Sequence, residues 1–329
     1  MGRHRKKLYA VLAAISILFA LFGTVNAGDP NSFLQRTSGD ESKSSVFNTN
    51  RYVQKTSGDI SYIYYRDNYV PRWHSPITNL PSNWVRWTKS TFAVDNWPVL
   101  AGLGALTTIL IATDYETWKY TSCQYDKSPA VKKAADIFEF MGDGKFQFGI
   151  VGVYAGVGLI TNDSRALRTA VQITEAILST GGVVQLLKHV TGRESPFVST
   201  EPTGQWQWFP NQIEYHKHVP HYDAMPSGHI ATATTTLIVI AENYPEYQWI
   251  RPVGYVLLGA ISTALVTTSI HWWSDIPLGI AIGYSFGMIA SHPRGIILDG
   301  FGKGGHSGSL NVSPILSGDT QGLSLSYTF

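Results

Sequence analysis

Two histidines, each beside a predicted helix end, are the residues best suited to chemistry in this sequence. His229 follows Pro226, Ser227 and Gly228 and opens an apolar segment rich in small residues. Ser227 suits a helix N-cap, and Gly228 lets a ligand approach the backbone closely. The free amides of such a first turn can hold a phosphate-sized anion. Because histidine titrates near neutral pH, His229 can move protons beside that anion.

His271 is the second candidate, and it precedes Asp275 by four residues at the predicted junction of two helices. A carboxylate within reach of one ring nitrogen fixes the tautomer and leaves the other nitrogen as a nucleophile. Ser274 can cap the helix that begins at Asp275. A core histidine beside a capping aspartate is the alternative interpretation.

Two cations flank the predicted end of the preceding long apolar segment. Gly192 is typical of the residue just past a helix C-terminus, and Pro196 prevents the helix from resuming. Lys188 and Arg193 lie on either side of that end. Aimed at one site they could clamp a phosphoryl group, the arginine in bidentate fashion. The alternative is a pair of solvated surface charges.

Six apolar segments must position these residues. Each is long enough for a helix rather than a strand, and together they predict an all-α bundle. The segments are 97–113, 146–161, 168–190, 229–242, 250–270 and 275–291.

The three motifs, in this order, resemble the type 2 phosphatidic acid phosphatase (PAP2) family, which shares its fold with vanadium haloperoxidases and periplasmic non-specific acid phosphatases. That family carries Lys-x6-Arg-Pro, then Pro-Ser-Gly-His, then Ser-Arg-x5-His-x3-Asp. Here the second motif is complete, and the other two are kept in part at Lys188, Pro196, His271 and Asp275. The resemblance covers about residues 97–291 and implies a six-helix PAP2/haloperoxidase-like bundle.

The resemblance also implies a metal-independent phosphatase without a cofactor, acting on a lipid phosphate or a small phosphomonoester. His271 would attack phosphorus to form a phosphohistidine, Asp275 would orient it, and His229 would protonate the leaving alcohol and then activate water. The phosphoryl oxygens would be held by Lys188, Arg193, Ser227 and Gly228.

Two departures from the family pattern weaken that phosphate site. The arginine of the first motif falls on Ser195, and that of the third falls on Leu265. Both family arginines contact the phosphate, and Arg193 could replace one of them. A lost charged hydrogen bond costs about 1.5–3 kcal/mol. The departures therefore also fit a non-catalytic phosphate- or lipid-binding protein.

Two further alternatives use the same region of the chain. A vanadate-dependent haloperoxidase would hold vanadate in the same pocket. A cluster rich in histidine could bind a metal, although loop residues at the pocket rim are the simpler interpretation. This cluster comprises Glu214, His216, His218, His221 and Asp223.

The chain ends predict further regions. A basic start, an apolar run and a small-x-small site predict a signal peptide over residues 1–27. An irregular extension (28–95), the catalytic bundle (96–292) and a tail (293–329) follow. Alternation of apolar and polar residues before Phe329 predicts a short β-hairpin in the tail.

Composition and export bound the partners and the location. A net charge of +2 argues against a nucleic-acid partner, and the single Cys123 excludes an internal disulfide. The signal peptide predicts an exported protein, periplasmic or associated with the cell envelope. Polar residues within 168–190 favour a soluble or peripheral bundle that can contact a membrane surface. The alternative is an integral inner-membrane protein, because the apolar segments approach spanning length.

Overall fold

The computed structural model describes residues 52–57, 60–65, 70–292, 310–317 and 320–327. Eleven α-helices lie in this part of the chain: α1 (Ser75–Thr78), α2 (Leu80–Thr91), α3 (Trp97–Ile111), α4 (Asp114–Lys127), α5 (Pro129–Gly142), α6 (Gly144–Thr161), α7 (Ser164–Thr191), α8 (Gln212–Lys217), α9 (Gly228–Asn243), α10 (Ile250–Thr267) and α11 (Asp275–Ser291). One antiparallel strand pair precedes the helices in the sequence, β1 (Tyr52–Ser57) with β2 (Ile60–Tyr65). A second pair follows them, β3 (Leu310–Ser317) with β4 (Thr320–Tyr327).

The bundle is all-helical, as the apolar segments predict, but the expected count of six helices is wrong. Each of the six predicted segments coincides with a helix, and α4 and α5 lie between the first and second of them. The charged residues of 114–142 hide the apolar period on which the prediction depended. Helix α5 nevertheless packs against α10 and forms part of the bundle.

The predicted irregular extension is also wrong for part of its length, because residues 75–91 are largely helical. Several side chains of helix α2, among them Asn83 and Trp87, tie it to the bundle. Asn83 donates to the Glu175 carboxylate at 2.8 Å, and the Trp87 indole donates to Ser285 Oγ at 2.9 Å. The predicted signal peptide and residues 28–51 of the extension lie outside the described residues.

Helix α9 is the central helix, and it packs against α7, α10 and α11. Close packing on α11 depends on glycine. A side-chain carbon at Gly279 would lie 2.6 Å from the Ser227 carbonyl oxygen, and one at Gly283 would lie 2.2 Å from that of Ala231. Thr235 uses this closeness to donate to the Gly283 carbonyl across the helix pair. Backbone contact therefore fixes how α9 and α11 meet.

Helix ends that carry the predicted motifs gather at one end of the bundle, here called the site end. Helices α7 and α10 finish there, and α9 and α11 begin there. The Ser227 amide donates to the Asp275 carbonyl at 3.0 Å, which joins the starts of α9 and α11. Lys188 near the end of α7 lies beside Gly228. The bundle thus brings together residues separated by long stretches of sequence.

Much of the lateral surface of the bundle is apolar. Three helical segments are long and apolar enough to cross a membrane: Val94–Ile111, Ser164–Thr191 and Ile250–Thr267. Large apolar side chains on these segments and on α6 are exposed, among them Ile109, Val153, Ile160 and Val256.

Candidate active site

His271 is held at the site end by the turn that closes α10. The Leu265 carbonyl accepts hydrogen bonds from the amides of both Ile270 and His271, which ends the helix. The ring Nδ1 lies 2.8 Å from the Ala224 carbonyl oxygen and 3.5 Å from Asp275 Oδ2. Nδ1–H therefore donates mainly to the carbonyl, and Nε2 carries the free lone pair. Asp275 is close, as predicted, but the nearer orienting group is a backbone carbonyl that the motif does not specify.

His229 enters the same site from the first turn of α9. Ser227 caps this helix by accepting a hydrogen bond from the Ile230 amide at 3.5 Å. The ring centroids of His229 and His271 lie 5.5 Å apart with the planes at 71°. The two predicted imidazoles thus converge.

Burial is the main cause that lowers the pKa of both histidines. The pKa of His271 falls to about 3, with the charge of Lys188 contributing, and that of His229 falls to about 4, with His271 and Lys188 contributing. Both rings are therefore neutral at pH 7. A bound phosphate, being negative, would raise both pKa values.

Lys188 lies beside this pair. Its side chain is buried, and its Nζ would lie 3.8 Å from a side-chain carbon placed at Gly228. Nζ also forms an ion pair with Asp223 Oδ2 at 3.3 Å. The sequence placed Asp223 in the histidine-rich rim cluster, whereas the structure makes it the partner of the predicted phosphate-binding lysine. An anion at the start of α9 would therefore meet a cation already neutralised in part.

Arg193 does not face the predicted phosphate site, and its predicted role as a clamp is wrong. The side chain is fully buried, and all five of its N–H donors are taken. Its partners are Asp275 Oδ1 (2.6 Å), Ser274 Oγ (2.6 Å), Asp114 Oδ2 (2.8 Å) and the Thr203 carbonyl, which accepts from Nη2 at 2.8 Å and from Nε at 3.3 Å. Arg193 is therefore committed to binding the protein itself.

Asp114 completes this network, and no motif in the sequence predicted it. It begins α4, 79 residues before Arg193, and its carboxylate is buried. Ser274, predicted to cap α11, instead donates to Asp114 Oδ2 at 2.5 Å, and the Ser274 amide donates to Asp114 Oδ1 at 3.1 Å. No local pattern marks Asp114, because its partners are distant in sequence.

The two positions at which the family carries arginine are buried in this protein. Leu265 is fully buried in the apolar core. Ser195 is also buried, and its amide donates to the Pro220 carbonyl at 2.9 Å. Neither position contributes a cation, so Lys188 is the positive side chain that the described site offers to an anion.

The rim histidines do not converge on one point. His216 and His218 are exposed, and His221 Nδ1 lies 3.3 Å from Glu194 Oε1. Within the residues that the structure describes, no group of three or more His, Cys, Asp or Glu side chains is placed to hold a metal ion. This geometry gives no support to the metal-binding alternative.

The structure thus brings paired imidazoles, a lysine and the first-turn amides of α9 together at one end of a helical bundle. Residues 169–294, which contain all three motifs, match the model of the PAP2 superfamily. This match confirms the resemblance for that segment. A search of solved structures gives the transmembrane PAP2 type phosphatidylglycerolphosphate phosphatase from Bacillus subtilis, at 12% identity and a TM-score of 0.37, covering 66% of this chain and 94% of that one. A search of curated proteins finds no match.

Proposed function

We propose that this protein is a PAP2-type phosphatase that hydrolyses a lipid phosphate or a small phosphomonoester through a phosphohistidine, without a metal ion. The observation that carries the proposal is the convergence of His229 and His271, 5.5 Å apart, beside Lys188 and the first turn of α9. Paired imidazoles can divide the nucleophile and proton-transfer roles between them.

In the first step Nε2 of His271 attacks phosphorus, and the bond from phosphorus to the leaving oxygen breaks. His229 gives its proton to that oxygen. In the second step a water molecule, deprotonated by His229, attacks the phosphohistidine and releases phosphate. Lys188, Ser227 and the amide of Gly228 hold the phosphoryl oxygens, where negative charge is stabilised. Substrate charge raises the pKa of His229, so the acid is protonated once the substrate is bound.

We further propose that the three long apolar helices cross a membrane and that the site end lies at its surface. The exposed apolar side chains of the lateral surface support this placement, because such a face is costly in water. Exposed aromatic side chains occur at both ends, Trp208 and Phe209 at the site end and Trp97 and Trp249 at the other. Such residues favour the two membrane–water interfaces. Export to the periplasm stays a prediction.

The decisive experiment measures phosphate release by the detergent-purified protein in the presence of EDTA. Phosphatidate in mixed micelles and p-nitrophenyl phosphate are suitable substrates. We expect turnover by the unaltered protein and none by His271→Ala. His74→Ala, far from the site end, is the matched control and should retain activity. Equal activity in both variants would refute the proposal.

A non-catalytic phosphate- or lipid-binding protein is the second candidate, and one observation favours it. Arg193 is turned inward and Leu265 is buried in the core, so the phosphate site has few cations. Binding of phosphatidate vesicles with no turnover between pH 4 and 9 would support this candidate. The haloperoxidase alternative stays untested; bromide oxidation with added vanadate would test it.

A further inference from the structure

Asp114 lies outside the segment that matches the superfamily model, yet it is part of the charge network of the site. Arg193 bridges two carboxylates, with Nη1 2.6 Å from Asp275 Oδ1 and Nη2 2.8 Å from Asp114 Oδ2. All three side chains are fully buried. Ser274 donates to Asp114 with both its amide and its hydroxyl. Asp114 is thus held as firmly as Asp275.

The charge balance of this cluster gives Asp114 a purpose. Arg193 and Asp275 alone would form a neutral pair, and a neutral pair acts on His271 more weakly than a net charge does. Asp114 places a second negative charge on the same guanidinium, so the cluster carries a net charge of −1 when both carboxyls are ionised. In a buried setting this surplus acts strongly on a neighbouring ring.

We propose that Asp114 is a positioning residue which, through Arg193, leaves Asp275 with the negative charge needed to stabilise the phosphorylated, cationic ring of His271. The inference rests on the proposed phosphatase function. When Nε2 forms the bond to phosphorus and the leaving oxygen takes the proton of His229, the His271 ring keeps its Nδ1–H and becomes positive. The surplus charge offsets it.

The ionisation of the two carboxyls supports the same conclusion. Burial raises the pKa of Asp114 and of Asp275 each to about 6, and the charge of Asp275 adds to the rise at Asp114, while Arg193 opposes both shifts. The other charged or titratable groups that face the cluster are Lys188 and His271. The fully ionised form is therefore reached as the pH rises through about 6, and it is lost below that pH.

The first test is Asp114→Asn, which keeps the shape and the neutral pair of Arg193 with Asp275. We expect kcat to fall about 10- to 100-fold, the effect of one unit charge in a partly screened interior, with KM little changed. The acidic limb of the kcat profile should move to lower pH, because Asp275 no longer faces a second carboxylate. Asp126→Asn, on the exposed face of α4, is the control and should change neither quantity. An unchanged kcat and acidic limb in Asp114→Asn would overturn the inference.

The second test is a charge rescue with Asp114→Asn and Arg193→Gln combined, which restores the net charge of −1 when Asp275 is ionised. Because Arg193 lowers the pKa of Asp275, the variants are compared on the alkaline side of the kcat profile. The double variant should be several-fold more active than Asp114→Asn, whereas a purely structural role makes it equally or less active. Melting curves establish which variants fold. If Asp114→Asn does not fold, a folded double variant decides the matter, and its lack of turnover would overturn the inference. Absence of turnover by the unaltered protein refutes the phosphatase itself. Turnover by that protein with a failed rescue refutes the charge role of Asp114 alone.

Discussion

Lys188 offers the sharpest test of how this site holds a phosphoryl group, because the structure leaves it as the cation nearest the start of α9. Lys188→Met keeps the length and the apolar stem of the side chain and removes its charge. The variant also removes the cation with which Asp223 pairs at 3.3 Å. The unbalanced carboxylate of Asp223 then repels the substrate phosphate.

The magnitude follows from charge and distance. A charge-assisted hydrogen bond contributes about 1.5–3 kcal/mol, and two unit charges about 4 Å apart attract by about 4 kcal/mol at an effective dielectric constant of about 20. Part of the charge of Lys188 is already balanced by Asp223. We therefore expect the variant to lose about 2–3 kcal/mol of transition-state stabilisation, which lowers kcat/KM by a factor of about 30–150.

The assay is kcat/KM for p-nitrophenyl phosphate at fixed ionic strength, with Lys217→Met as the control because Lys217 is an exposed lysine paired with Glu214. Removing the unbalanced carboxylate as well, in Lys188→Met with Asp223→Asn, should restore part of the lost activity. If Lys188→Met loses no more activity than Lys217→Met, phosphate does not bind at the proposed site.

Two further predictions concern the packing and the protonation of the site. Gly283→Ala should lower the free energy of unfolding by about 1–3 kcal/mol, because the new carbon would lie 2.2 Å from the Ala231 carbonyl oxygen; Gly181→Ala, with nothing within 4 Å, is the control, and equal melting temperatures would contradict the packing argument. Because burial holds the pKa of His229 at about 4 and that of His271 at about 3, their ring nitrogens should show no protonation in ¹⁵N NMR spectra between about pH 5.5 and 8 when no phosphate is added. Inorganic phosphate should move both pKa values upward, and protonation of either ring near pH 6.5 without phosphate would refute the burial of the rings.

The parts of the site that the sequence predicted are those that local chain chemistry determines. Gly192 ends α7 in the left-handed conformation and Ser227 caps α9, since each effect involves only a few neighbouring residues. The convergence of His229 with His271 followed from the motif resemblance. The apolar period located α9, α10 and α11, whereas the mixed composition of α4 and α5 concealed them.

The parts that could not be predicted depend on contacts between distant residues. Arg193 has the charge and the sequence position of a phosphate ligand. Only its contact with Asp114 of α4 shows that its donors are already used. Ala224, the acceptor for His271, has no side-chain signal at all, because the contact uses its backbone carbonyl. A sequence can indicate that a cation lies near a helix end, but the direction of its side chain depends on which carboxylates the fold brings to it.

Because its side chain is bound to buried carboxylates, Arg193 cannot replace either of the two arginines that the family carries. Leu265 lies in the core beneath the turn that carries His271, so a cation could enter there only by disrupting that core. Arg193 cannot turn outward without leaving Asp114 and Asp275 as adjacent buried carboxylates, which is strongly unfavourable. In the proposed phosphatase, Lys188 and the amides of α9 therefore neutralise the phosphate, while the charge of Arg193 acts indirectly, through the carboxylates that face His271. On this reasoning the chain retains the charge that stabilises the phosphorylated histidine and lacks part of the charge that binds the substrate. A weakly bound substrate is best supplied by a surface that concentrates it, such as a membrane rich in lipid phosphate.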